Sequence, residues 1–538
     1  MMLSNRGSPL RWLFDSGRGP SNRLIPRWLF LRALAAIYFS AFYSLLFQIK
    51  GLIGPNGILP AGDYLAAVAQ ALGGQRYWFA PSLYWVSSSN AALMAVTWIG
   101  AAAAVAAFFN LWPRLSFFVC FVCFLAFVSA TNVFSEYQSD GMLLEAGFLA
   151  LFFAPGGLRP GWGEHSPPSR ASLWLLRWEW FRIYFESGAV KLLSGDPEWR
   201  SFTAMDEYYQ NGPLPTWIGW YAEHLPHAFH AFTAGATLVL ELGLVFMLFL
   251  PRRARLVCFF IVTPWEIGVI LTANYAFLNY LVLALGLLLL DDIFLGPLLP
   301  ARFRAPRDGE EQARRQTQWG MRAPTARIGT AAMLHALGLA LTAFLLLWIG
   351  YDTSAELAGM FAPHSPLPQQ PIALLEPLRI ANRYGLFAVM TRGRYEIEFQ
   401  GSSDGRNWTA YPFRYKPQAL SQPPGIYAPY QPRFDWNLWF ASLDDWRQNE
   451  IVPLSEERLL QNDRDVLALF AGNPFAHAPP RFVRAVLWQY WFTSESEKRR
   501  SGNWWRRQYL GLYAPELTPG PGGTYEAVEM PDGLPPHD

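Results

Sequence analysis

The first two thirds of the chain alternate between long apolar segments and short polar ones. Nine apolar segments follow one another, and each approaches the length of about 20 residues that a helix needs to cross the hydrocarbon layer. They occupy residues 28–48, 91–110, 115–134, 139–155, 173–193, 228–250, 256–273, 275–291 and 328–350. The pattern predicts a polytopic α-helical membrane domain over residues 28–350, preceded by a basic tail of residues 1–27.

The arginines between these segments predict how the helices are oriented. With the N-terminus inside, the cytoplasmic tail and loops hold 19 arginines, seven of them within residues 302–327. The opposite face holds only Lys50, Arg76, Lys191 and Arg200. Because cytoplasmic loops are enriched in Lys and Arg, we predict about nine spans with the N-terminus inside. The chain after residue 350 then lies outside the cytoplasm.

The polarity pattern changes after residue 350. Strand patterns appear at residues 394–400, 408–415, 482–493 and 504–513, and helical spacing appears at residues 433–446 and 455–471. The turn at 401–405 lies between two alternating strands and is typical of a hairpin. We predict an extracytoplasmic β-rich α+β domain over residues 351–515, for which a β-sandwich is one arrangement. Residues 516–538, rich in Gly and Pro, are predicted to form a disordered tail.

Charged residues interrupt the fourth and fifth apolar segments. Ionisable groups are costly in hydrocarbon, so they mark either a buried polar network or a water-filled cavity. Glu179, Arg182 and Glu186 share one helix face, because their spacing is i, i+3 and i+7. Two interpretations follow: a network that fixes helix packing, or an outward-opening site for a lipid-like molecule or a proton. The candidate intramembrane site consists of Asp140, Glu145, Glu179, Arg182, Glu186 and Lys191.

Composition narrows the classes of function. The chain is 52% hydrophobic and 16% charged with a net charge of +2, which argues against a nucleic-acid partner. His224, His227 and His230 spread around a helix that Pro226 interrupts, so we predict no metal site, and no motif predicts a cofactor. Tryptophans of the C-terminal part form either its core or a client-binding surface; the candidates are Trp436, Trp439, Trp504 and Trp505.

Five stretches, in order along nearly the whole chain, resemble the lipase maturation factor family. They read QSDGMLLEAG (138–147), ESGAVKLLSGDPEW (186–199), YGLFAVMTRGRYEI (384–397), QPRFDWNLWF (431–440) and NPF (473–475). The resemblance implies a membrane protein of the endoplasmic reticulum, in animals, with a large lumenal C-terminal domain. It implies a chaperone for secreted homodimeric lipases, and a membrane part similar to the vitamin-K-dependent carboxylase superfamily. It assigns no catalytic residue.

Two functions therefore stay open. The first is a maturation factor that binds secreted client proteins, without enzymatic activity. The second is an intramembrane enzyme or transporter that uses the charged cavity and binds a lipid. Arginine far outnumbers lysine, which is typical of a GC-rich bacterial genome. For a bacterial source we expect the inner membrane with the C-terminal domain in the periplasm, and for a eukaryotic one the endoplasmic reticulum membrane.

Overall fold

The computed structural model describes residues 9–131, 133–300 and 330–533. The predicted basic loop at residues 302–327, Arg6 of the predicted tail and the last residues of the predicted C-terminal tail, 534–538, lie outside this range. All nine apolar segments contain helices. The number of helices that cross the membrane and the side on which the termini lie stay predictions.

The helices of the first part comprise short surface pieces and long bundle helices. In chain order they are α1 (Pro9–Phe14), α2 (Leu24–Ile53), α3 (Ala61–Leu72), α4 (Arg76–Phe79), α5 (Asn90–Phe108), α6 (Pro113–Val128), α7 (Gln138–Phe153), α8 (Arg170–Leu193), α9 (Pro197–Ser201), α10 (Ala204–Asn211), α11 (Trp217–Glu223), α12 (His227–Leu242), α13 (Arg252–Thr272), α14 (Leu278–Gly286), α15 (Asp292–Leu295) and α16 (Thr330–Phe361).

Five of these helical stretches are long and apolar enough to cross a membrane on their own. They are Ser21–Ile53, Asn90–Phe108, His227–Phe249, Arg252–Thr272 and Met333–Phe361. A sixth span would combine Leu278–Leu289 with Asp292–Leu298, which meet at a bend of 90°. The helices α7 and α8 complete the bundle, and α8 carries the charged residues that lower its hydropathy. The chain is thus a polytopic helical membrane protein.

Small residues bring the bundle helices into close contact. Gly147 of α7 faces Tyr38 of α2, and a Cβ added there would lie only 1.9 Å from the tyrosine hydroxyl oxygen. That hydroxyl donates to the carbonyl of Leu143 at 3.0 Å. Because a bilayer offers little hydrophobic driving force between helices, such close packing and interhelical hydrogen bonds hold the bundle together.

The C-terminal part contains one six-stranded antiparallel sheet within the described residues. Its strands are β1 (Arg394–Ser402), β2 (Thr409–Ala410), β3 (Phe482–Phe492), β4 (Trp505–Leu512), β5 (Glu516–Pro519) and β6 (Tyr525–Glu529). The order is β2-β1-β3-β5-β6, and β4 pairs with the remaining length of β3. The helices of this part are α17 (Gln370–Leu375), α18 (Arg433–Ala441), α19 (Ile451–Leu460), α20 (Arg464–Leu467) and α21 (Glu495–Ser501).

Two expectations for this part are wrong. A β-sandwich needs two sheets that cover each other, whereas here α18 and α19 lie on a single sheet, as the contacts of α18 with β1 and of α19 with β3 indicate. The predicted disordered tail begins with ordered strands, since β5 pairs with β3 at Val483 and Leu517 and β6 extends the sheet beyond it. Pro521, Gly522 and Gly523 lie in the turn between β5 and β6.

The C-terminal part packs directly on the helical bundle. Asn274, in the turn between α13 and α14, accepts hydrogen bonds from the backbone of Tyr427 and Ala428 at 2.7 and 3.0 Å. Gln48 of α2 donates to the carbonyl of Gln431 at 2.9 Å. The last turn of α2 touches α20 at Gly51, where a Cβ would lie 2.4 Å from a backbone oxygen of Asp465. The two parts therefore share one continuous core.

A labelling experiment tests the predicted orientation. The three native cysteines are buried, so they contribute little background. Ser403→Cys lies in the exposed hairpin turn after β1, and His165→Cys lies in the exposed loop between α7 and α8. In sealed vesicles that expose the non-cytoplasmic face, a membrane-impermeant maleimide should label Ser403→Cys at once and His165→Cys only after permeabilisation. The opposite pattern would reverse the orientation.

The buried Glu456 of α19 makes the stability of the C-terminal part depend on pH. Burial raises the pKa of this carboxyl group well above its usual range. A raised folded-state pKa means that stability is greatest below the unfolded pKa of about 4.3 and falls as the pH rises through the folded-state value. Glu456→Gln should flatten the dependence of the thermal midpoint on pH and raise that midpoint at the alkaline end. The exposed Glu526→Gln is the control and should leave the profile unchanged.

Candidate functional site: the charged cluster beneath the C-terminal domain

Asp140, at the start of α7, forms a buried ion pair with Arg433 at the start of α18. The guanidinium donates from Nη1 to Oδ2 at 2.7 Å and from Nη2 to Oδ1 at 2.9 Å, and Nη1 also donates to the carbonyl of Phe134 at 2.7 Å. Both side chains are fully buried. This two-pronged geometry is the strongest that arginine makes with a carboxylate. It joins the membrane helices to the C-terminal part.

Glu145 and Arg182 form a second ion pair one turn deeper, between α7 and α8. The Tyr384 hydroxyl donates to Glu145 at 2.8 Å, and the backbone N–H of Asn382 donates to the same oxygen at 3.1 Å. Arg182 in turn donates to the carbonyl of Asn382 at 2.5 Å. Burial raises the pKa of the Tyr384 phenol well above its usual range, so it stays protonated as a donor. Residues from beyond the last bundle helix therefore complete this pair.

Residues 382–390, which we call the docking segment, continue this pattern along α8. The backbone N–H of Tyr384 donates to Glu186 at 2.6 Å, and that of Leu386 donates to the Ser187 hydroxyl at 3.2 Å. Lys191 donates to both Glu241 oxygens of α12, at 2.9 and 2.8 Å, and to the carbonyl of Leu386 at 3.2 Å. The docking segment thus satisfies the polar groups of α8 with its own backbone.

Glu179 differs from its neighbours in the cluster. Its side chain is fully buried on the inner side of Arg182, and neither carboxylate oxygen has a hydrogen-bond partner among the described residues. A buried carboxylate without partners is costly when ionised. It is the one residue of the predicted set without a hydrogen-bonded neighbour.

The six predicted residues thus divide into three groups. Glu145, Arg182 and Glu186 meet around Tyr384, Asp140 pairs separately with Arg433, and Lys191 pairs with Glu241 on a different helix. Their partners Arg433, Tyr384 and Glu241 were missed as site residues. Arg433 and Tyr384 lie in stretches that carry the family resemblance, and that resemblance was the signal in the sequence that could have indicated them. Of the six, only Lys191 lines the apolar cavity described below.

Three of the four candidate tryptophans lie in the core of the described chain rather than on its surface. Trp436, Trp439 and Trp505 are 6%, 7% and 1% exposed, so they cannot form a client-binding surface. Trp436 packs against the ring of Tyr137, because α18 lies between the sheet and the bundle. Trp504 is half-buried, and the Lys498 ammonium lies 3.3 Å from the centre of its ring.

The three histidines point to separate partners. His224 contacts the carbonyls of Trp220 and Thr493, His227 contacts Asp206, and His230 lies between the carbonyls of Met205 and Leu225. His224 at the end of α11 contacts the carbonyl of Thr493, and Lys498 lies over the ring of Trp220, so α11 is fastened to the β3–β4 connection, which forms the short helix α21.

Two protein-family models match this chain. A family model described as the lipase maturation factor transmembrane domain matches residues 25–296, and one described as the lipase maturation factor C-terminal domain matches residues 380–515. The chain belongs to the lipase maturation factor family. Lipase maturation factor 2 of Homo sapiens is 32% identical over 92% of this chain and 83% of its own length.

Further relatives agree with this membership. Lipase maturation factor 1 of Bos taurus is 32% identical over 92% of this chain and 89% of its own length. Lipase maturation factor 2 of Gallus gallus is 33% identical over 92% and 82%. No solved structure matches. The second family model begins at residue 380, so the docking segment and Arg433 both belong to the matched C-terminal domain of the family.

The ion pair between Asp140 and Arg433 should show strong coupling. Removing one partner leaves a buried charge unpaired, so Arg433→Met should destabilise the protein by about 3–5 kcal/mol. The double variant Asp140→Leu, Arg433→Met should lose much less, because neither charge remains. Chemical unfolding in mild detergent measures these differences.

A surface pair on the same domain provides the control. Arg447 pairs with Asp445 and its side chain is 61% exposed, so Arg447→Met should change stability by no more than about 1 kcal/mol. Strict additivity of the two single variants at Asp140 and Arg433 would show that the buried pair is not coupled.

Proposed function

We propose that this protein is a membrane-bound maturation factor whose C-terminal domain, residues 351–515 together with the strands β5 and β6, assists the folding or assembly of secreted proteins. The observation that carries the proposal is family membership over both halves of the chain, with relatives named lipase maturation factors. By that resemblance the clients are lipase-like. This assistance in folding takes place on the non-cytoplasmic face of the membrane. That face lies towards the periplasm for a bacterial source and towards the endoplasmic reticulum lumen for a eukaryotic one.

The structure supports a binding role through the way the C-terminal domain is held. Buried ion pairs and the docking segment fix the domain on the bundle, so client contacts must use its remaining outer surface. That surface includes the edge strand β6, where Val528 is 55% exposed, and β4, where Tyr509 is 47% exposed. Exposed strand edges can pair with another chain, which suits a protein that handles incompletely folded partners.

A complementation experiment tests the proposal. Cells that lack the protein are supplied with a secreted lipase from the same organism and with the full chain. We expect the activity per unit mass of secreted lipase, and its dimeric fraction, to rise with the full chain while lipase synthesis stays constant. Equal specific activity with and without the protein would contradict a maturation role.

Photo-crosslinking then locates the contact. A photoreactive amino acid at Tyr509 or Val528 should form an adduct with the newly made lipase, whereas the same residue at Val257, exposed on α13, should not. A truncation after residue 350 is a poor substitute, because it would leave Arg182, Glu186 and Lys191 without the docking segment. Lipase adducts from Val257 alone would argue that the C-terminal domain is not the binding surface.

A further inference from the structure

An apolar cavity of about 280 Å³ lies between α8, α10, α12, α13 and α14. Protein interiors are close-packed and leave few voids larger than a water molecule, so a space of this size is unusual unless something fills it. Its volume is near the lower end of the range for small-molecule sites. Most of the lining is aromatic or aliphatic, and includes Trp199, Tyr208, Phe229, Trp265 and Phe387.

The cavity borders the lipid-facing side of the bundle. The helix α12 packs on α8 and α10, whereas α13 packs on α11 and α14, so the two helices diverge from the short 3-10 helix Leu244–Phe249 that joins them. Pro264 and Gly268 of α13 line the cavity and are themselves exposed. Proline removes one hydrogen bond of the helix, and a Cβ on Gly268 would meet no atom within 4 Å. The space therefore opens sideways between two helices.

The outer faces beside this opening are apolar. Phe232 and Val239 of α12 are 69% and 66% exposed, and Phe260 of α13 is 53% exposed. Such faces suit hydrocarbon rather than water. Phe229 and Glu241 both line the cavity and are 12 residues apart on α12, which corresponds to about 18 Å of helix. That length is close to half of the roughly 30 Å hydrocarbon layer, the depth that one lipid chain spans.

The polar end of the cavity contains two carboxylates and one ammonium group. Lys191 is already balanced by Glu241. Glu266 of α13 accepts hydrogen bonds from the Tyr184 hydroxyl at 2.7 Å and from the Asn279 amide at 2.5 Å. With no cation left over among the lining residues, no lining group would pair with an anionic head group. A hydroxyl group, in contrast, can donate to a carboxylate oxygen.

We propose that this cavity binds a neutral, hydroxyl-bearing membrane amphiphile that enters between α12 and α13. Its hydrocarbon chain lies among the aromatic lining, and its hydroxyl donates to Glu241 or Glu266. The proposal concerns a ligand of the membrane domain and does not depend on which secreted proteins the C-terminal domain binds.

The experiment uses the purified full chain in nanodiscs with a monoacylglycerol that carries a diazirine in its acyl chain. After irradiation we expect labelled peptides from the cavity lining, above all residues 264–282. Unlabelled monoacylglycerol should compete, whereas the ionised fatty acid of equal chain length should not. Labelling confined to the outward faces around Phe232, Val239 and Phe260 would overturn the site.

Two glycine variants provide a matched pair. Gly268→Phe fills the opening without a backbone clash and improves helix propensity, and we expect specific labelling to fall at least about tenfold, which equals about 1.4 kcal/mol. Gly338→Phe places the same side chain on α16, at an exposed glycine where a Cβ would also meet no atom within 4 Å, and should leave labelling unchanged. Equal labelling of both variants would overturn the proposal.

A third variant tests the head-group assignment. Glu266→Gln keeps the size of the side chain and one acceptor oxygen but cannot carry a negative charge, so the ionised fatty acid should now compete with the monoacylglycerol. Competition by the fatty acid against the unmodified protein would overturn the choice of a neutral ligand. Size-exclusion profiles confirm that each variant is folded.

Discussion

The whole arrangement depends on charges that the bundle helices cannot satisfy by themselves. Asp140 is fully buried at the start of α7, and its cation comes from Arg433, almost 300 residues later in the chain. Glu145 and Arg182 pair with each other across α7 and α8, and the docking segment adds hydrogen bonds to both and to Glu186. Burying an ion costs several kcal/mol unless geometry and hydrogen bonds compensate, so the C-terminal domain has one energetically acceptable position on the bundle.

This constraint explains why the charged stripe of α8 is compatible with a membrane helix. Arg182, Glu186 and Lys191 are met by backbone N–H and carbonyl groups of residues 382–390, whereas Glu179 has no such partner among the described residues. The packing interpretation therefore accounts for Glu145, Arg182 and Glu186 without any reaction. Lys191 also lines the cavity between α12 and α13. Its hydrogen bond to the carbonyl of Leu386 connects that cavity to the docking segment.

Local patterns predicted the helices and the members of the charged cluster, because length, apolarity and the cost of buried charge are properties of a short stretch of chain. They could not predict Arg433 as the partner of Asp140, since pairing across that separation depends on tertiary packing. The same limit affected Trp436 and Trp439, whose burial comes from the bundle on the far side of α18. Gly and Pro in residues 516–538 suggested disorder, but long-range pairing with β3 decided the structure of β5.

The docking segment has a consequence for how this protein is made. When a ribosome has synthesised only the bundle, Asp140 of α7 lacks its arginine, and Glu145, Arg182 and Glu186 lack the hydrogen bonds of the docking segment. These groups gain their remaining partners only after the final third of the chain has been made and has folded back onto the bundle. The bundle is therefore completed in a fixed order, because the C-terminal domain is synthesised last and supplies the remaining contacts of α7 and α8.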